Sequence, residues 1–251
     1  MAAQPKRRAF LAHAGVLLAA ALAPTVVAIP EAHADKPGKA PAEKAPAERA
    51  PAAKPGAPTA DEVAARVQKF YDGTKTYRAS FKQVYFIKVQ NKKKNSSGKV
   101  VFEKPGKMSF VYDSPNGNRV VSDGKVIKVY EKEAEQMYET PVKKSQYPAA
   151  LSFLLGEGKL AKDFSLKLLD SSTMKFEGGY VLQGTPKEAS PAYQKMLLYI
   201  DGDTAQVRRV LILDAQGNKN RFDFTSPVLN KPVEKSEFEF TPPKGTKIIK
   251  P

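Results

Sequence analysis

The sequence predicts a mainly β protein with a few short helices, built on one strongly curved antiparallel sheet or barrel. Three observations carry this. From Ala79 onward, apolar residues alternate with period two in run after run. Turn dipeptides punctuate the runs: Pro105-Gly106, Asn116-Gly117 and Asp123-Gly124. The helical patterns number two or three, too few to cover a flat sheet of about ten strands, so they fit inside or across the mouth of a curved one.

The first 34 of the 251 residues stand apart from that domain. Lys6, Arg7 and Arg8 precede the mostly apolar "LAHAGVLLAAALAPTVVAI", and Ala32-His33-Ala34 supplies a cleavage site before Asp35. This is an export signal and not a membrane anchor, because Pro24 interrupts it and small residues dominate. "RRAFLA" resembles a twin-arginine motif, but an ordinary Sec signal accounts for it equally, and both routes stay open. Residues 35–58 hold six prolines and eight alanines. Such a stretch buries too little to fold and reads as an extended, disordered linker.

The domain, residues 59–251, opens on Thr59-Ala60-Asp61-Glu62, a capping box. Val63, Val67 and Phe70 follow at helical spacing and Gly73 ends the run, predicting an amphipathic helix of about three turns. "ASFKQVYFIKV" then places Ala79, Phe81, Tyr85, Ile87 and Val89 on one strand face, with Gln83 the exception. Ser97-Gly98 reads as the next turn. "VFEKPGKMSFVYDSP" reads as two strands broken at Lys104-Pro105-Gly106. The second puts Met108, Phe110 and Tyr112 on one face and Lys107, Ser109 and Asp113 on the other. This first meander runs to about Glu139.

"QYPAALSFLLGEG" predicts a short helix from Pro148 to Gly156. Leu151, Phe153, Leu154 and Leu155 leave Ser152 as its only polar side chain, so it must be covered on more than one side. Beyond Leu160–Leu169 the strands resume at Phe176–Gln183, Lys195–Asp201, Gln206–Asp214, Arg221–Ser226 and Ser236–Phe240. "DGDT" and "DAQGN" join three of them. "FEFTPP" reads as a terminal edge strand stopped by prolines.

Composition narrows the chemistry. There is no cysteine, and both histidines, His13 and His33, lie in the export segment. Without them the domain has no Cys–His or Ser–His–Asp arrangement and no usual zinc site. Carboxylate-only or Ser–Lys chemistry survives formally, but Asp123, Asp201 and Asp203 sit in turns, where aspartate is mostly a turn residue. No catalytic residue, metal or cofactor is assigned. The net charge is +15, and from Asp35 on there are 38 basic against 25 acidic residues. Nucleic acid is a poor partner for an exported chain. "NKKKN" reads as a solvated hairpin tip, and the dispersed lysines suit anionic membranes or acidic docking faces.

The order of "ASFKQ", "SGKVVFEKPGKMSFVY", "VVSDGKVIKVYEKEAEQMYET" and "FEFTPPKGTKII" resembles the periplasmic outer-membrane lipoprotein carrier family, LolA. The resemblance runs from about Asp61 to Ile249. It implies an unclosed β-barrel whose apolar concave face is covered by short helices acting as lid or plug. The implied cargo is the acyl chains of lipoproteins, taken from an inner-membrane ABC-type exporter. Delivery would be to an outer-membrane receptor or to the outer membrane itself, with the carrier a periplasmic monomer and not an enzyme. On this basis Phe81, Tyr85, Met108, Phe110, Tyr112, Leu151, Leu154 and Leu155 are expected to line the lipid-binding cavity.

The family carries a basic residue, usually Arg, before the proline of its second strand, where it holds the lid shut. Lys104 occupies that position, so it is the expected lid latch. The departure matters, because Lys is a point charge without the planar fork of Arg. Absence of cysteine separates this chain from the pathway's receptor, itself a lipoprotein of similar shape. The rival reading is an extracytoplasmic lipid or lipoprotein sensor that acts through a signalling partner.

Overall fold

The computed structural model describes residues 57–144, 158–190 and 192–250. Its first element, α1 (Ala60–Asp72), is started by Thr59, whose side chain accepts from the Glu62 backbone while Glu62 accepts from the Thr59 backbone at 2.7 Å. Two orphan donors of the first turn are thereby satisfied. The buried stripe of α1 is Val63, Ala64, Val67 and Tyr71. Phe70 is only half-buried and sets its ring edge-on to Tyr71 at 5.0 Å.

Six strands follow: β1 (Thr76–Ile87), β2 (Lys92–Glu103), β3 (Lys107–Tyr112), β4 (Arg119–Asp123), β5 (Val126–Glu131) and β6 (Gln136–Pro141). The helix expected over 148–156, with Leu151, Leu154 and Leu155, lies outside the described residues. After it come a single helical turn, α2 (Leu160–Asp163), and then β7 (Phe164–Leu169), β8 (Gly179–Pro186), β9 (Lys195–Asp201), β10 (Val207–Leu213), β11 (Lys219–Leu229) and β12 (Lys247–Ile249).

All twelve strands form one sheet in the order β12-β6-β5-β4-β3-β2-β1-β11-β10-β9-β8-β7. Two antiparallel meanders are welded where the first strand meets the eleventh, with Phe81 opposite Phe224. The outermost strands, β12 and β7, do not pair with each other, so the barrel is unclosed. One edge pair departs from the antiparallel pattern: β12 runs parallel to β6.

Four local expectations need correction. Ser97-Gly98 is not a turn but lies inside β2. A Cβ on Gly98 would stand 2.0 Å from the Val111 carbonyl oxygen and 2.9 Å from the Phe81 ring, so the glycine marks a close approach within a strand. Val89 is not on the inner face; β1 ends at Ile87 and Val89 is 91% exposed in the turn. Phe176 precedes its strand and packs its ring on Tyr199 at 5.3 Å. Ser236–Phe240 is not an edge strand. Lys235–Phe238 forms a 3-10 turn, and the terminal strand is the later Lys247–Ile249.

The reason for the last difference is the path of the chain. From β11 at the centre, the C-terminal segment crosses the outer face of β3 and β4 to reach the far edge. Phe238 packs there with Val101 and Val121, beside Val233 and Phe240. Arg78 ion-pairs with Glu237 at 2.8 Å, Arg119 donates to the Glu237 carbonyl and Lys128 to the Phe240 carbonyl. The alternating phenylalanines cover a sheet instead of joining one.

Candidate functional site

The inner face is one continuous apolar surface. Phe81 from β1, Met108, Phe110 and Tyr112 from β3, and Phe222 and Phe224 from β11 are all buried in the same cluster. Met108 is 1% and Phe110 0% exposed. The period-two reading of β3 is therefore correct, and the three residues meet the face it assigned. The Phe81 ring sits at the centre, 5.0 Å from Tyr112, 5.5 Å from Phe110 and 5.9 Å from Phe222, each in an edge-on arrangement. The ring quadrupole favours such edge-to-face pairs.

Tyr85 lies further along β1 on the same side, half-buried and outside this cluster. Burial and the nearby Asp214 push its phenol above the ordinary tyrosine range. Between them, Gln83 is buried and donates to Asn220 at 2.8 Å. That pair explains the polar interruption in "ASFKQVYFIKV". The bond gives the Gln83 amide N–H and the Asn220 carbonyl oxygen a partner within the apolar face.

Sequence reasoning missed half of the face. Tyr77, Phe102, Phe222 and Phe224 carry it across β1, β2 and β11. The signal is present in the sequence, since "RFDFT" alternates as strictly as "KMSFVY". The other omission is α1, whose Val63, Ala64, Val67 and Tyr71 cover the face.

The polar contacts that hold α1 in place cluster at its surroundings. Arg66 donates to the Gly202 carbonyl at 2.6 Å and stacks over Tyr180. Tyr71 accepts through its hydroxyl from the Val207 backbone at 3.1 Å. Leu160 donates its backbone N–H to Gln68 at 3.1 Å, and Lys159 pairs with Asp72 at 3.0 Å.

Lys104 sits at the C-terminus of α1. Its Nζ donates to the Tyr71 carbonyl, one of the last carbonyls of the helix. A cation there adds a second donor to a carbonyl that already accepts from the Thr74 backbone at 3.0 Å, and it meets the negative end of the helix dipole. Partial burial pushes the Lys104 ammonium below the ordinary lysine range; Asp72 acts the other way, and Lys159 adds to the depression. The Asp72 carboxyl is held low first by the Gln68 amide, then by Lys159 and Lys104, against some desolvation. Lys104, Asp72 and Lys159 thus gather where the chain leaves residues 145–157 and rejoins the described fold. The residue picked out as a latch makes its described contact with α1.

Among the described residues no group of acidic side chains could hold a metal ion, and no helix is long and apolar enough to cross a membrane.

The family model described as Outer membrane lipoprotein carrier protein LolA matches residues 72–241. An outer-membrane lipoprotein carrier protein of Methylibium petroleiphilum is 32% identical over 197 residues, covering 77% of this chain and 92% of the relative. Its counterpart in Methylobacillus flagellatus is 25% identical over 195 residues, covering 78% and 92%. Among solved structures, a LolA superfamily protein of Nitrosomonas europaea matches with a TM-score of 0.41 and 14% identity, over 73% of this chain and 99% of that one. The chain belongs to the LolA family of outer membrane lipoprotein carrier proteins.

Proposed function

We propose that this protein shields the acyl chains of lipoproteins against its inner face, with α1 as part of a removable cover. It takes cargo from an inner-membrane ABC-type exporter and yields it to an outer-membrane receptor or to the outer membrane. One observation carries the reading: an aromatic and methionine face spans the sheet beneath a helix whose apolar stripe is flanked by a few polar contacts. Phe81, Met108, Phe110 and Tyr112 are then the residues that meet the acyl chains, with Phe222 and Phe224 beside them. In the closed state they fill the space themselves, so cargo enters by displacing their packing on α1.

Energetics suit a reversible carrier. Each methylene sheltered from water is worth about 0.8 kcal/mol, so partial cover of a lipid chain offsets leaving the membrane. Met108 suits such a surface, because its unbranched side chain repacks around differing shapes. Lys104 acts as the latch by holding the last turn of α1. Leu151, Leu154 and Leu155 remain expected members of the lid.

The test is release of a membrane-bound lipoprotein into a soluble one-to-one complex when the exporter and ATP are supplied. The parent should form it and Met108→Glu should not, while keeping a cooperative melt. A glutamate on a face that opens reaches water by opening it, whereas in a fixed core it costs several kcal/mol. An unfolded variant would mean that Met108 is ordinary core. Failure of the parent to take up cargo would sink the carrier reading itself.

A further inference from the structure

Among the described residues, the outer face of the sheet is covered at two places. The C-terminal segment lies over β3 and β4, and Phe176 lies on Tyr199 of β9. Between these covers no described element lies over the outer side of β2, β1, β11, β10 and β9 toward the end of the sheet that carries the β1–β2 hairpin. Strand register fixes what stands there. One row runs Asn95, Val84, Arg221, Leu211, Leu197, and the next runs Lys93, Phe86, Lys219, Leu213, Lys195. Lys82 and Lys99 flank them on the side toward the covers.

The five apolar members, Val84, Phe86, Leu197, Leu211 and Leu213, are half-buried, while Lys82, Lys93, Lys99, Lys195 and Lys219 are exposed. None of those five ammonium groups has an ion pair or hydrogen bond among the described residues. Neither row holds an acidic residue, and Asp223, one row toward the covers and opposite Lys82, is taken by Arg209 and Arg221. Beyond the rows, the turn holds Lys88 and the 91% exposed Val89. Neighbouring strands stand about 4.8 Å apart, so five of them span about 19 Å, the size of a small docking surface.

We propose that this outer patch docks the protein on the surface of an anionic phospholipid bilayer. Charge complementarity and its texture select that partner. Five unpaired lysines at strand spacing give a diffuse positive field, and lysine is a mobile point charge that suits mobile headgroups better than fixed carboxylates. Half-exposed aliphatic side chains and one phenylalanine lie between the lysines, so their stems and these groups reach the interfacial region while the ammonium groups stay among the phosphates. An acidic protein surface would leave the apolar members wet or require a matched groove. The patch lies on the opposite side of the sheet from Met108 and Phe110, so docking does not consume the inner face, and this inference stands whether or not acyl chains bind there.

The experiment uses the protein recovered from a periplasmic extract and sedimented with vesicles. One set is phosphatidylcholine alone and the other holds about 30 mole per cent phosphatidylglycerol, enough to give the surface a strong negative potential. Binding is expected to the second set only, and to weaken as salt shortens the Debye length. Each lysine near such a surface contributes about fivefold, so the combined K93Q, K195Q and K219Q variant should lose about a hundredfold. Phe86→Ser with Leu213→Ser should weaken binding that persists at raised salt. Circular dichroism melts check that the variants are folded, and the lysines are exposed enough for the triple variant to stay so. Equal binding to both vesicle sets, or a folded triple variant that binds like the parent, overturns the proposal. Retention by an acidic protein without any vesicle binding overturns it as well.

Discussion

Replacing Lys104 by leucine should loosen α1 without unfolding the sheet. The ammonium donates to the Tyr71 carbonyl from a different part of the chain, so the substitution removes a clasp and no backbone pairing. A hydrogen bond from a charged donor is worth about 1.5–3 kcal/mol, and half-exposure of the lysine brings it toward the lower end. Taking about 1.5 kcal/mol, the ratio of covered to uncovered inner face falls about tenfold. Lys104→Arg keeps the charge and offers more donors, so it should preserve the ratio. The assay pairs fluorescence of a dye that binds exposed apolar surface with transfer of a loaded lipoprotein to acceptor membranes. The leucine variant should bind more dye and transfer differently, and the arginine variant should track the parent. A leucine variant indistinguishable from the parent in both would make Lys104 a helix-end lysine with no part in opening, and the argument from its position would fail.

Three further outcomes are expected. Asp72 is held as a carboxylate by Gln68, Lys159 and Lys104, below its ordinary value of 3.8. Its contribution is complete above that value and fades as pH falls through it toward the depressed folded value, so Asp72→Asn should flatten the fall in Tm as pH drops through and below 3.8; parallel curves would count against the cluster. Gly98→Ala forces a Cβ against the Val111 carbonyl and the Phe81 ring and should cost about 1–3 kcal/mol by urea denaturation, a cost no true turn glycine with free space would show. Phe238→Ala should lose about 3–5 kcal/mol of stability, because Phe238 is 4% exposed beneath the C-terminal crossing. Acyl-probe binding by the folded fraction should stay unchanged, since that side chain lies on the outer face; parallel loss of binding would show that the two faces are coupled.

Much of the sheet was legible because hairpins announce themselves locally. Lys195–Asp201 was read to its ends, and Pro105-Gly106, Asn116-Gly117 and Asp123-Gly124 each join the strands they were assigned to. What escaped was non-local. Gly98 carries the same letter as a turn glycine, and only the Phe81 ring above it reveals the difference. "FEFTPP" alternates like a strand, but both sides of β11 in the sheet are already occupied, by β1 and β10. The phenylalanines therefore cross an outer face. Likewise the partner of Lys104 lies 33 residues earlier, on a helix that no strand pattern places against the Lys104-Pro105 turn.

The same limit bears on the inner face. Alternation could say that Met108, Phe110 and Tyr112 point one way, but a fixed core and a face that opens have the same alternation. Their burial in the closed state does not separate the two either, since a covered cavity lining and a core are equally dry. The difference lies in what holds the cover. α1 buries Val63, Ala64, Val67 and Tyr71 against the face, with Ala60 and Phe70 at its margin, and its flanks are held by Arg66, Asp72, Lys104 and Lys159. A helix with a broad apolar contact and no such clasps would stay down for as long as the fold survived. One with a narrow stripe and polar clasps can lift when those contacts exchange for water or for a partner's groups, each at the modest net cost of a hydrogen bond. The residues that decide whether this protein has a core or a cavity are therefore the polar ones around α1, and not the apolar ones that line the space.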